Sequence, residues 1–142
     1  MTLRADTVRE RLSLVRTNLA ALRETAALPR EHFLADRKEQ WATAYALQIT
    51  VQALLDAGAH VLSGHFSEGL REYGDVVPRL LQHGVLEPRL AERLRGLSGF
   101  RNLLVHEYGS VDYGLVHDKL ARLDELAGFA AAIEEWLTEQ GF

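Results

Sequence analysis

The stretch from Ala42 to Leu62, ATAYALQITVQALLDAGAHVL, decides the fold expected for this chain. Its apolar residues would lie on almost every side of an α-helix, whereas a surface helix keeps them on one side. A helix of this kind must be covered by neighbours in several directions. We therefore predict a long central helix, from about Glu31 to Leu62, with the rest of the chain packed around it.

The segments before and after this helix carry their own signals. Residues 2–27 repeat apolar side chains every three or four positions and are followed by Pro29, a pattern that predicts a first helix. Residues 63–74 contain glycines at short intervals and predict a loop. Residues 75–83 predict a short helix that is closed by Gly84.

The second half of the chain predicts two further long helices. Pro88 suits the first turn of one helix, which ends near Gly109, and Asp112 begins another that runs to about Glu139. We expect the inward-facing residues of the last helix to be Leu115, Leu120, Leu123, Leu126 and Ile133. Four main helices and one short helix predict an all-α, antiparallel helical bundle that forms one domain over residues 1–142.

Composition narrows the classes of function. The chain has no cysteine, which excludes disulfides, thiolate zinc sites and cysteine nucleophiles. It contains no apolar run that approaches a bilayer span and no N-terminal secretory pattern, so we expect a cytoplasmic protein with no membrane partner. A net charge of −4 argues against a broad, non-specific nucleic-acid surface but allows a small pocket for single-stranded RNA.

The stretch FRNLLVHEYG, Phe100–Gly109, carries the strongest indication of chemistry. It places a cation, an imidazole and a phenol within about two turns of a helix. Arg101 and His106 are nevertheless about 140° apart around a straight helix. Bringing them together requires a distortion near the helix end or a second copy of the chain across a dimer. Gly96 and Gly99, just upstream, favour a bend or a close partner helix.

This set of side chains suits RNA cleavage. RNA supplies its own nucleophile, the 2′-hydroxyl, so an enzyme needs only proton transfer and charge stabilisation, and no metal. His106 would move the proton, Arg101 would hold the phosphate oxygens, and Asn102 would orient the imidazole or the phosphate. A simpler interpretation also stands, because arginine and histidine near a helix C-terminus often only complement exposed carbonyl groups.

The pattern Arg101-Asn102-x-x-x-His106-x-Tyr108 resembles the Arg-x4-His-x-Tyr signature of HEPN-domain proteins, in particular the HepT-like toxins. The resemblance covers roughly Ala42 to Val116. It includes, in the family's order, Tyr45-Ala46-Leu47-Gln48 with Asp56 and His60, then the segment Leu80–Leu86, and then the motif.

The resemblance implies a homodimeric helical bundle whose two motifs meet near the interface. It implies a metal-independent endoribonuclease that acts as the toxin of a type VII-like toxin–antitoxin module, with Arg101 and His106 catalytic and Asn102 assisting. The implied antitoxin is a minimal nucleotidyltransferase that adenylylates Tyr108. Two other interpretations remain: a non-catalytic helical module that binds the nucleotidyltransferase or a nucleotide, and a purely structural bundle.

A polar line crosses the otherwise apolar central helix at Gln48, Gln52, Asp56 and His60. Its members are four residues apart and share one side of the helix. They form either a narrow solvated surface or the border of the catalytic cleft or of the dimer seam, in which case Asp56 and His60 would support the catalytic pair. The six histidines lack the i,i+4 pair of helical zinc enzymes, and no phosphate-binding glycine loop occurs, so we expect no metal or cofactor.

Overall fold

The predicted all-α fold is confirmed by a computed structural model that describes residues 2–106 and 110–142, without the side chain of His106. The described residues contain no strand and form eight α-helices and one short 3-10 turn at Tyr73–Asp75. In chain order the helices are α1 (Ala5–Ala26), α2 (Arg30–Ala35), α3 (Arg37–His65), α4 (Val76–Gln82), α5 (Pro88–Arg93), α6 (Leu97–His106), α7 (Tyr113–Leu120) and α8 (Leu123–Glu139).

Helix α3 is the central helix, as its sequence predicts. It packs against α1, α2, α4, α6, α7 and α8. Leu47, Val51 and Leu54 are fully buried along it. At Gly58 a Cβ atom would lie 2.6 Å from Val76 Cγ1, so the missing side chain is what allows α4 to approach α3 this closely.

Helix α1 also matches its prediction. The apolar residues that recur at three- and four-residue spacing are all buried: Val8, Leu12, Val15, Leu19 and Leu22. They face α3 and α8, the two helices on which α1 packs most extensively. The apolar spacing therefore identified the buried side of this helix correctly.

The predicted boundaries of the central helix are wrong at both ends. Asp36 interrupts the segment that was expected to be helical from Glu31, because its backbone is extended and its side chain accepts a hydrogen bond from the Glu39 backbone N–H at 3.1 Å. It thus acts as the N-cap of α3. At the other end, α3 continues to His65, three residues beyond the predicted end at Leu62.

Each of the two long helices predicted in the second half is divided. Leu94 ends the first part, and Gly96, with a φ of +82°, turns the chain before α6 begins. The bend predicted from the glycines is therefore present at Gly96, whereas a Cβ at Gly99 would meet nothing within 4 Å. The predicted helix end at Gly109 lies outside the described residues.

The last predicted helix breaks at Ala121 and Arg122, which separate α7 from α8. Asp112 stands at the start of α7, as predicted, and caps it by accepting hydrogen bonds from the Gly114 and Leu115 backbone N–H groups. Leu115 was expected to be inward but is 51% exposed. The buried residues of α7 are Val116 and Leu120. The prediction for Leu115 assumed one continuous helix from Asp112 to Glu139, and the break between α7 and α8 changes which side of α7 faces inward.

None of the helices in the described parts of the chain is both long enough and apolar enough to cross a bilayer.

Candidate active site

Arg101 is the centre of a polar network between α6 and α3. Its Nε donates a hydrogen bond to Gln52 Oε1 at 2.6 Å, and its Nη1 donates to Asn102 Oδ1 at 2.9 Å. Its guanidinium carbon lies 5.3 Å from the centre of the Tyr73 ring. All three partners are neutral, and no described carboxylate forms an ion pair with Arg101. The guanidinium is held in place while its charge remains available to an anion.

A second layer of hydrogen bonds fixes the groups that hold Arg101. Gln52 Nε2 donates to Asp56 Oδ1 at 2.9 Å, and the Tyr73 hydroxyl donates to the same oxygen at 2.7 Å. The bond to Asp56 is the main reason that the pKa of Tyr73 is raised, so the phenol stays protonated. Asp56 thus orients both the amide and the ring that contact Arg101.

Two of the four residues in the predicted polar line belong to this network. Gln52 contacts Arg101 directly, and Asp56 contacts it through Gln52 and Tyr73. Gln48, one turn earlier, makes no side-chain hydrogen bond with any described residue. The line is therefore neither wholly a solvated surface nor wholly a support for the arginine.

His60 lies apart from Arg101. Its Nε2 accepts a hydrogen bond from the Arg4 backbone N–H at 3.2 Å, which ties the N-terminal segment to α3. Burial, followed by the positive charges of Arg11 and Arg4, lowers the pKa of His60. The imidazole is thus held neutral near pH 7, with Nε2 as an acceptor.

The other predicted site residues are only partly within the described structure. Helix α6 is unbroken from Leu97 to His106, so five positions along it still correspond to about 140° between Arg101 and His106. The predicted distortion does not occur in the described part of the helix. The side chain of His106 and the whole of Tyr108 lie outside the described residues, and assembly of the pair across a dimer stays a prediction.

Sequence reasoning assigned no role to Tyr73. It lies in the segment predicted to be a loop, 28 residues from Arg101 in sequence, and helical periodicity gives no information about such a contact. The sequence indicated this contact only through the residue type, because tyrosine rings often lie against arginine side chains in proteins. No three His, Asp or Glu side chains among the described residues converge in a way that would hold a metal ion.

Comparisons with known proteins agree with the fold and with the resemblance to HepT-like proteins. The sequence pattern of the family described as "Ribonuclease HepT-like" matches residues 15–133. The chain is 30% identical over 105 residues to the tRNA nuclease HepT of Aphanizomenon flos-aquae (strain 2012/KM1/D3), a match that covers 74% of this chain and 71% of that protein.

Two solved structures share the fold at low sequence identity. The cytosolic protein YutE of Bacillus subtilis, described as of unknown function, has a TM-score of 0.84 and 19% identity, covering 99% of this chain and 96% of that one. A tri-AMPylated HEPN toxin of Shewanella oneidensis, in complex with MNT antitoxin, has a TM-score of 0.81 and 18% identity, covering 92% and 98%.

The fold defines a helical bundle of the class found in HEPN toxins. The match over residues 15–133 makes the assignment more specific. The chain belongs to the HepT-like ribonuclease family.

Proposed function

We propose that this protein is a metal-independent endoribonuclease that acts as the toxin of a type VII-like toxin–antitoxin module. Family membership and the nuclease activity named for the cyanobacterial relative support the reaction class. The HEPN toxin bound to MNT antitoxin supports the module, because this chain has the same fold. The observation that carries the proposal is that Arg101 is rigidly held by neutral partners and so keeps its charge for a phosphate.

The reaction follows from the roles of three side chains. His106 takes the proton from the 2′-hydroxyl, the 2′-oxygen attacks phosphorus, and the bond to the 5′-oxygen breaks. The proton returns from His106 to the leaving 5′-oxygen, so the products are a 2′,3′-cyclic phosphate and a free 5′-hydroxyl. Arg101 stabilises the negative charge that develops on the phosphoryl oxygens. Asn102 assists by fixing Arg101 through the 2.9 Å hydrogen bond between them.

The nuclease activity is proposed to be neutralised by a partner enzyme. A minimal nucleotidyltransferase transfers AMP from ATP to the hydroxyl of Tyr108 and releases pyrophosphate. Tyr108 is two residues from His106, so the added nucleotide brings negative charge and bulk next to the position of the RNA phosphate. The protein is proposed to act as a homodimer, in which residues of the two copies complete each cleft.

Cleavage of a defined single-stranded RNA in EDTA tests the nuclease. We expect cutting by the wild-type protein, loss of cutting in His106→Ala and Arg101→Ala, and no cutting of a 2′-deoxy strand of the same sequence. The protein is first treated with a phosphodiesterase that removes AMP, so that protein already inactivated by adenylylation is not mistaken for a protein without activity. Full activity in both variants would disprove the assignment of the site. A wild-type protein that cuts no RNA would favour a non-catalytic module that binds the nucleotidyltransferase.

Mass spectrometry tests the regulatory step. After incubation with the nucleotidyltransferase and ATP, we expect an AMP-sized mass increase on the peptide that contains Tyr108, and no increase in Tyr108→Phe. The modified protein should cut no RNA, whereas the variant should remain active in the presence of the partner. Addition of AMP to any other residue would contradict this part of the proposal.

A further inference from the structure

A polar groove adjoins the Arg101 network on the far side of Tyr73. Its volume is about 540 Å³, within the range of pockets that hold small organic ligands. Helix α1, the C-terminal half of α3 and the segment of residues 68–73 form its walls. The residues that matter for its chemistry are Arg11, Asp56, His60, Arg71, Glu72 and Tyr73.

Two arginines in this groove keep their charge available. The only described carboxylate within ion-pair distance of Arg11 is Asp56, whose Oδ2 is 3.9 Å away, at the limit of such a contact. Arg71 makes no ion pair or side-chain hydrogen bond with any described residue. By contrast, Arg30 and Arg122, outside the groove, have carboxylate oxygens at 2.8 and 2.9 Å. The groove therefore presents two cations that a ligand can bind at little cost in broken contacts.

The acidic residues of the groove differ in how far they are neutralised. Asp56 accepts hydrogen bonds from Gln52 and Tyr73, and Glu68 lies within 3.6 Å of Arg79 and 3.1 Å of His83. Glu72 makes no ion pair with any described residue. Arg11 and Arg71, together with Arg79 beside Glu68, balance the three carboxylates Asp56, Glu68 and Glu72, which leaves the groove close to neutral in a protein whose net charge is −4.

Asp56 and Tyr73 belong both to the groove and to the Arg101 network. Only one amide and one carboxylate separate Arg101 from Arg11: Gln52 binds Arg101 at 2.6 Å, and Asp56 lies between Gln52 and Arg11. A polyanion whose phosphate is held by Arg101 therefore meets these additional cations directly beside it.

We propose that this groove binds a nucleotide of single-stranded RNA next to the scissile phosphate, with Arg11 and Arg71 holding the flanking phosphate. The inference rests on the proposed nuclease function. It explains how an acidic protein binds RNA, because a few local cations replace a broad basic surface. It also assigns a role to Arg71, which no contact within the described fold requires.

Salt dependence of RNA binding tests the groove. The probe is a short fluorescein-labelled single-stranded RNA, titrated with the His106→Ala protein over a series of KCl concentrations. In single strands each phosphate contact contributes about 0.7 to the slope of log K against log salt. Because both arginines hold one phosphate, we expect Arg71→Ala and Arg11→Ala each to reduce the slope, and the double variant to reduce it by about 0.7. Arg71→Lys should restore the slope, because it keeps the charge.

Two further variants make the test specific. Arg89→Ala removes an exposed arginine of α5 that also lacks an ion pair among the described residues but lies outside the groove, so the slope should not change. Glu72→Gln removes the uncompensated carboxylate and should tighten binding at low salt. Unchanged slopes in Arg71→Ala and Arg11→Ala, or an equal loss in Arg89→Ala, would overturn the inference.

The experiments distinguish failure of the proposed RNA-binding groove from failure of the proposed nuclease function. Cleavage of RNA in EDTA by the wild-type protein, together with unchanged slopes, would overturn the groove alone. The expected slopes together with no cleavage of any RNA would support an RNA-binding groove and overturn the nuclease. Thermal unfolding of each variant establishes whether the bundle is intact.

Discussion

Replacing Gln52 with methionine should reduce activity through Arg101. Methionine keeps the length of the side chain and the helix propensity but removes the acceptor that lies 2.6 Å from Arg101 Nε, and with it the donor that lies 2.9 Å from Asp56 Oδ1. A hydrogen bond to a charged group contributes about 1.5–3 kcal/mol, and water recovers part of that value because Arg101 is only half-buried. We expect a loss of about 1 kcal/mol in the free energy of unfolding, which lowers Tm by about 3–5 °C.

The effect on catalysis should exceed the effect on stability. Gln52 is the partner that anchors Arg101 to a different helix by a hydrogen bond, so without it the guanidinium shifts relative to the phosphate. A misplacement of about 1 Å can lower the rate about 100-fold. We therefore expect kcat to fall about 10- to 100-fold while KM changes little.

The matched control is Gln48→Met, one turn earlier on α3, because Gln48 makes no side-chain hydrogen bond with any described residue. Initial rates of RNA cleavage in EDTA give kcat and KM separately for both variants. A Gln52→Met protein with kcat within about twofold of wild type would refute the positioning role. An equal loss in Gln48→Met would refute the argument that the bond to Arg101 is the cause.

Three further outcomes are expected from thermal unfolding. Gly58→Ala should lower Tm, because its Cβ would lie 2.6 Å from Val76 Cγ1 and overpacking costs about 1–3 kcal/mol. Gly99→Ala should raise the free energy of unfolding by up to about 1 kcal/mol, since it fills open space on a helix; a decrease would show that Gly99 has a contact partner. Because burial and then Arg11 lower the pKa of His60, the unfolded chain binds its proton first, and stability should fall as pH drops below about 6.5. His60→Gln should reduce that fall, and an unchanged pH profile would contradict the reasoning.

The sequence predicted the buried sides of the helices better than their ends. Apolar spacing identified every buried position of α1, and the all-round apolar pattern identified α3 as central. The missed break at Arg122 occurs where apolar residues continue on both sides, with Leu120 before it and Leu123 after it, whereas Asp36 is followed by the polar run Arg37–Gln40. At Asp36 the competing effect is a side-chain cap, which stabilises a helix start inside a sequence that could otherwise remain helical. Helix ends depend on such local competition, which periodicity does not report.

Only those site residues that lie on one side of a single helix could be grouped from the sequence. Gln52 and Asp56 were in the predicted polar line because they share one side of a single helix. Their link to Arg101, and the contribution of Tyr73, depend on how α3, α6 and the segment before α4 pack together. Contacts over such distances in sequence require the tertiary structure. The side chain of His106 falls outside the described residues, so its role remains a prediction.

The neutral surroundings of Arg101 also have a consequence for handling the protein. A cation without a counter-charge is a binding site for any small oxyanion, and a ligand that binds only the folded state raises its stability by mass action. Phosphate and sulfate should therefore raise Tm more than chloride at equal ionic strength, and Arg101→Gln should reduce the difference to the part that arises from general exclusion of these anions from the protein surface. The same anions should inhibit as competitors of RNA. Buffers chosen to keep the protein stable would then reduce the activity that they are meant to preserve.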